Sequence, residues 1–163
     1  VYTASHLTGS FTLRSGVTSS EYFDKYGFEA DPALLRDLAT ALAPLVPSEC
    51  DALAGLELGG VPLATMLAQV TGLPARFVRK AAKTYGTCQL AEGGGIDGAR
   101  LCIVEDVVTS GGAVLDAATE LRARGAVLGP VVCVIDRESG GVEQLAAAGL
   151  ELRALFTMSD LRP

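Results

Sequence analysis

Histidine is almost absent: His6, near the start of the 163 residues, is the only one. Any Ser-His-Asp or Cys-His mechanism would rest on that single residue, and a terminal surface position is its simpler reading. The four cysteines, Cys50, Cys88, Cys102 and Cys133, form no C-x-x-C pair, which argues against a zinc site or a disulfide framework. Positive charge is scarce: 13 Lys and Arg stand against 19 Asp and Glu, a formal net charge of -6. Such a surface does not attract a polyanion as a whole, so nucleic-acid binding is not expected, although a small anion can still be held where bases cluster. Apolar runs are short: stretches such as Val131–Ile135 fall far below the ~20 residues of a membrane span, so no membrane role is expected. No basic-then-apolar leader opens the chain, and since it begins with Val1 rather than Met, residues preceding Val1 are expected. Two phosphate-binding signatures are missing as well, G-x-x-x-x-G-K-[ST] and a G-x-G-x-x-G after a strand.

Apolar residues are plentiful, 49% of the chain, enough for one domain over residues 1–163 with a single core. Cys102 and Cys133 sit inside apolar runs and read as small core residues, which fits a reducing cytoplasm. Residues 32–46 carry Leu34, Leu35, Leu38, Leu42 and Leu45 at helical spacing, with Asp31 as a cap, Pro32 at the first turn and Pro47 as the stop. Short apolar strands are expected at 52–56, 76–79, 101–105, 131–135 and 150–156. Helices are expected between them, from Val61 to near Gly72, over 113–124 and over 142–148. Alternation of this kind gives an α/β fold with a mostly parallel central sheet flanked by helices, binding ligands beyond the carboxyl ends of its strands. Residues 80–98, rich in glycine, read as a long loop, the length at which loops in compact domains serve as lids.

The most informative segment is Leu101-Cys102-Ile103-Val104-Glu105-Asp106-Val107-Val108-Thr109-Ser110-Gly111-Gly112-Ala113. An apolar strand delivers two adjacent carboxylates to the sheet edge, and a bend of hydroxyls and glycines then opens a helix. Amides at a helix start bind phosphate, glycines allow close approach, and paired carboxylates accept hydrogen bonds from vicinal hydroxyls. These residues resemble the phosphoribosyl pyrophosphate (PRPP) motif of the type I phosphoribosyltransferases. The resemblance implies that Glu105 and Asp106 hold the ribose, and that Val107 to Ala113 hold the 5′-phosphate, with Thr109 also near the base.

Further segments resemble the orotate phosphoribosyltransferases within that family. They are Phe11-Thr12-Leu13-Arg14-Ser15-Gly16, Tyr22-Phe23-Asp24-Lys25, Arg79-Lys80-Ala81-Ala82-Lys83, Asp136-Arg137-Glu138 and Leu155-Phe156-Thr157. Arg79, Lys80 and Lys83 place three cations close together on an acidic chain, and a planar guanidinium such as Arg137 suits a carboxylate or imide edge. The resemblance implies orotate contacts from Arg14, Tyr22, Phe23, Thr109 and Arg137, and PRPP contacts from Leu58, Gly59, Gly60, Arg79, Lys80, Lys83 and Tyr85. Lys83, Arg79 and Asp106 are the implied catalytic residues.

It also implies the type I fold, with a small N-terminal hood near 1–30 and a mobile catalytic loop near 80–95. A pentosyltransfer from PRPP to orotate in pyrimidine (UMP) biosynthesis follows, with Mg²⁺ held mainly by PRPP and water rather than by protein ligands. A homodimer with shared active sites is implied too. Two departures stand out: Tyr85 occupies a loop position where relatives often carry histidine, and Gly59 one where many carry lysine. The alternatives are transfer to another base, against which Arg14 and Arg137 argue, and a PRPP-sensing regulator on the same fold, against which the Arg79–Lys83 segment argues.

Overall fold

The computed structural model describes residues 1–12, 16–86 and 89–161. The chain opens with a short helix α1 (Tyr2–Ser5), strands β1 (His6–Thr12) and β2 (Thr18–Phe23) and a one-turn helix α2 (Tyr26–Glu29). Then come α3 (Pro32–Leu42), a 3-10 turn (Ala43–Leu45), β3 (Ala52–Leu56), α4 (Gly60–Thr71), β4 (Ala75–Val78) and β5 (Ala91–Glu92). The last part is β6 (Arg100–Val108), α5 (Gly112–Ala123), β7 (Val127–Asp136), α6 (Gly141–Ala147), β8 (Leu152–Thr157) and α7 (Met158–Leu161).

β1 and β2 pair antiparallel as a separate hairpin. The remaining strands form one sheet in the order β5-β4-β3-β6-β7-β8, parallel except for β5. From β3 the chain crosses outward through α4 to β4; from β6 it runs the other way through α5 to β7 and through α6 to β8. The direction of winding therefore reverses between β3 and β6, and a crevice opens beyond their carboxyl ends.

Both faces of the sheet are covered, as continuous apolar strands require. Ala52, Ala54, Leu101, Ile103, Val131 and Cys133 pack with Val114, Leu121 and Leu145 of α5 and α6. The alternate residues Leu53, Cys102, Val104, Val132 and Val134 pack with Leu38, Leu42, Leu63 and Leu67 of α3 and α4. Phe28, fully buried in the second cluster, anchors the N-terminal elements to the body. Burying such a ring is worth ~1.5–3 kcal/mol.

Three expectations need correction. The helix expected over 32–46 ends as α-helix at Leu42 and tightens to a 3-10 turn, because Pro44 has no N–H for the carbonyl of Thr40. Its start is as expected: Asp31 accepts hydrogen bonds from the amides of Ala33 (2.9 Å) and Leu34 (3.0 Å). The strand expected to stop at Glu105 continues to Val108, paired with β7 as far as Asp136, so both acids lie within the ladder. The loop expected over 80–98 is interrupted by β5, which pairs Glu92 with Phe77 and Ala91 with Val78.

Candidate active site

Asp106 leaves β6 on the side of α4 and the N-terminal elements and is fully buried. Its Oδ1 accepts from the Val107 amide (2.6 Å), and its Oδ2 lies 2.7 Å from Lys25 Nζ. Glu105 is 8% exposed, and its Oε1 accepts from the Asp106 amide at 3.0 Å. Burial, then the neighbouring Asp106 charge, raises the Glu105 pKa well above the ordinary carboxylate value. Burial pushes Asp106 the same way, but the neighbouring polar side chains of Glu29, Glu105 and Lys25 outweigh it and leave the pKa lowered. The site thus pairs one ionised and one reluctant acid.

Beyond them the chain bends through Thr109 and Ser110 to Gly111, whose φ of 82° is left-handed and where a β-carbon would lie 3.2 Å from Leu145 of α6. A side chain there would combine a strained backbone with a crowded contact. No side chain caps α5, so the first-turn amides of Gly112, Ala113 and Val114, which have no intrahelical partner, are left for an anion.

The second loop, Glu57-Leu58-Gly59-Gly60, leads from β3 into α4, which also lacks a side-chain cap. Its Glu57–Leu58 peptide is cis and Leu58 is exposed. A β-carbon on Gly60 would strike the carbonyl oxygen of Val104, so the close approach of α4 to β6 requires glycine. Glu57 Oε1 accepts from the Lys80 amide at 2.5 Å, tying this loop to the segment after β4.

That segment carries the cations. Arg79 Nε lies 3.2 Å from Glu92 Oε1, and Lys83 Nζ pairs with the same carboxylate. Hydrogen bonding from Lys83 is the main reason the Glu92 pKa is lowered. Tyr85 is 73% exposed, with the Lys83 ammonium 6.0 Å from its ring centroid. A cavity of about 520 Å³ runs between the two halves, lined by Glu57, Arg79 and Lys80 on one side and Thr109, Ser110 and Ala113 on the other.

A second cavity of about 270 Å³ is lined by His6, Glu21, Tyr22, Phe23 and Arg137, among others. Arg137 follows β7, and its amide donates to the Val108 carbonyl (2.8 Å). The next residue, Glu138, has a φ of 54° and accepts from the amide (2.9 Å) and hydroxyl (2.5 Å) of Ser159. Those bonds hold an unfavourable backbone and so fix the bend from which Arg137 projects.

The structure therefore gathers Arg79, Lys80, Thr109, Ser110 and Ala113 around one cavity and Tyr22, Phe23 and Arg137 around its smaller neighbour. Gly59 lies against Asp106. Lys83 turns aside to Glu92 and Tyr85 to solvent. Arg14 lies outside the described residues. His6 is not the terminal surface residue expected: it stacks on Tyr2 (centroids 4.7 Å apart), and its Nε2 is 3.5 Å from Glu21 at the wall of the smaller cavity. Sequence reading gave no role to Lys25, although it closes the Tyr22–Lys25 segment, nor to Glu29, Glu57 and Glu92, the partners of the residues it named. Only Glu29, a charge set between Phe28 and Ala30, gave any signal.

The model of the phosphoribosyl transferase domain matches residues 28–148. An orotate phosphoribosyltransferase of a Nocardioides species is 56% identical over 155 residues, covering 95% of this chain and 87% of that protein. The enzyme of the same name from Methanocella arvoryzae is 43% identical, covering 94% and 87%. Among solved structures, Mycobacterium tuberculosis orotate phosphoribosyltransferase in complex with inorganic phosphate superposes with a TM-score of 0.88 at 29% identity, covering 99% of this chain and 93% of that one. The same enzyme in complex with PRPP gives a TM-score of 0.84 at 28% identity, with the same coverage. Agreement over this length, on a sheet whose switch point carries the acid pair and the uncapped helix start, makes the chain a member of the orotate phosphoribosyltransferases.

Proposed function

We propose that the chain transfers the 5-phosphoribosyl group of PRPP to orotate, giving orotidine 5′-phosphate and pyrophosphate in pyrimidine biosynthesis. The bond from C1′ of the ribose to the pyrophosphate oxygen breaks, and a bond from C1′ to N1 of orotate forms. One observation carries the reading: the uncapped start of α5 faces Arg79 and Lys80 across the larger cavity, the strand leading to it carries the buried acid pair, and Arg137 lines a second cavity with two aromatic residues.

In this reading the amides and hydroxyls of Val107 to Ala113 hold the 5′-phosphate, and Glu105 and Asp106 accept from the ribose hydroxyls. Leu58, Gly59 and Gly60 offer backbone amides to the pyrophosphate. Arg79 and Lys83 exchange Glu92 for the leaving pyrophosphate and, with Lys80, stabilise the charge it gains. Tyr85 can add a phenolic hydrogen bond there. Tyr22, Phe23 and Arg137, with Thr109 and Arg14, bind orotate; its N1 proton is acidic enough that no strong protein base is required. Residues 80–95 close over the substrates and keep water from hydrolysing PRPP.

Mg²⁺ arriving with PRPP would supply neutralisation of the leaving group. Among the described residues no cluster of three or more His, Cys, Asp or Glu could hold a metal, and Asp106 is committed to Lys25. Such residues fit an ion carried by the substrate, and no protein ligand is assigned to it.

The family resemblance supports a homodimer in which each lid serves a shared site, and the exposed Tyr85 at the lid suits that arrangement. It equally supports one catalytic domain over residues 1–163. The buried free thiols Cys50, Cys102 and Cys133 suit a reducing cytoplasm, and among the described residues no helix is long and apolar enough to cross a membrane. Mixing the protein with PRPP, Mg²⁺ and orotate should make the orotate absorbance fall; steady absorbance with orotate but turnover of PRPP with another base would overturn the reading.

A further inference from the structure

Asp106 is held from a direction the reaction chemistry does not explain. Lys25 lies just after β2, and Glu29 ends α2. Both therefore come from the N-terminal hood, yet both reach an acid on the central strand β6. The Glu29 side chain is 7% exposed. Among the described residues, Glu29 Oε1 and Asp106 Oδ2 are both buried without a conventional hydrogen bond, the Lys25 ion pair at 2.7 Å aside. They flank the same point in space. A β-carbon built on Gly59 would run into the Asp106 carboxylate and lie 2.8 Å from Glu29 Oε1. Any side chain at position 59 would separate the two carboxyls.

Two carboxylates cannot share such a pocket while both are ionised. One proton between them resolves the conflict and supplies the missing hydrogen bond. Burial, then the hydrogen bond and charge of Asp106, lifts Glu29 from an ordinary 4.5 to about 9, so Glu29 keeps the proton at neutral pH. Asp106 remains the acceptor. The charged and titratable groups facing it are Lys25 and Glu29 from the hood and Glu105 from its own strand; Tyr26 acts in turn on Lys25.

We propose that Lys25 and Glu29 are positioning residues for Asp106: from the hood they fix its carboxylate as an ionised, correctly turned acceptor for a ribose hydroxyl, and Gly59 is the gap through which they reach it. The cation that supports the acid pair in this chain thus comes from the hood, not from position 59. The proposal rests on the PRPP reading above. It adds that docking of the hood is a condition for PRPP binding, not only for base recognition.

The test uses Lys25→Met, Glu29→Gln and Glu29→Ala in the full chain, with KM for PRPP, kcat and the pH profile of kcat/KM measured for each. Lys25→Met removes a cause of the low Asp106 pKa. It should raise KM for PRPP about tenfold or more and move the acid limb upward by about one pH unit. Glu29→Ala should also raise KM about tenfold, and Glu29→Gln, which still donates a hydrogen bond, should recover most of that loss. Inorganic phosphate should bind all three variants as it binds the parent, since the open amides of Gly112, Ala113 and Val114 that would hold it belong to α5. An unmoved acid limb and KM in Lys25→Met, or a Glu29→Gln variant as impaired as Glu29→Ala, would overturn the proposal. Should Lys25→Met not fold, the Gln and Ala pair decides alone. A parent protein that fails to turn over PRPP with orotate sinks the reading beneath instead.

Discussion

The two walls of the larger cavity are built on opposite principles. On one side, Thr109, Ser110 and Ala113 stand on a frame in which position is fixed by packing: in the strand that leads to them Ile103, Val104, Glu105 and Asp106 are buried, and Gly60 of α4, against the Val104 carbonyl, and Gly111 sit where a side chain would collide. On the other, Arg79 and Lys80, with Lys83 behind them in sequence, are held by half-buried ion pairs and one short hydrogen bond in the polar segment after β4. Packing cannot yield when a ligand arrives, whereas half-buried ion pairs worth on the order of 1 kcal/mol can be exchanged for a better partner. The frame should therefore set affinity and the cationic segment should set turnover.

Four substitutions test that division. Lys83→Ala should lower kcat by ~10²–10³-fold, the scale of losing one preorganised charge on a leaving group. The fold, by circular dichroism, and inorganic phosphate binding should be unchanged; full turnover would remove the lid from the mechanism. Asp106→Asn acts on the frame. It should raise KM for PRPP by ~10–100-fold, since the amide repels the ribose hydroxyl donor and abandons Lys25; ordinary PRPP affinity in calorimetry would refute the ribose contact. Gly60→Ala, which forces a methyl against the Val104 carbonyl, should cost ~1–3 kcal/mol of stability, read from the urea midpoint. The smallest effect is expected from Glu92→Gln. Freeing Arg79 and Lys83 from their competitor should tighten PRPP binding by no more than ~5-fold. A large loss there would show that Glu92 shapes the loop rather than merely occupying its cations.

The frame was legible in the sequence because its signals are local. The apolar run Leu101–Val104, the adjacent acids and the glycines of the bend lie within thirteen consecutive residues, and each has a backbone reason to be there. Pro44 was as local, yet the leucine stripe running past it masked the helix end. The supporting contacts were not legible, because they join residues distant in sequence. Lys25 meets Asp106, Glu57 meets Lys80, and Glu92 gathers Arg79 and Lys83. A lone charge says nothing about its partner until the fold brings them together. His6 was misread for the same reason: only the pairing of β1 with β2 brings it beside Glu21 and the wall that Arg137 shares.

The brief antiparallel pairing of Ala91 and Glu92 with β4 has a consequence for the cost of catalysis. It stitches the returning end of the cationic segment to the strand from which that segment departs. Under the proposed closure the stretch to be ordered is shorter than residues 80–95, because Ala91, Glu92 and the buried Leu90, whose carbonyl accepts from the Arg79 amide, are already tied to β4. Ordering each residue of a free loop costs ~1–2 kcal/mol of backbone entropy. Residues tied to β4 would thus be ordered once, when the chain folds, rather than at each closure of the proposed lid.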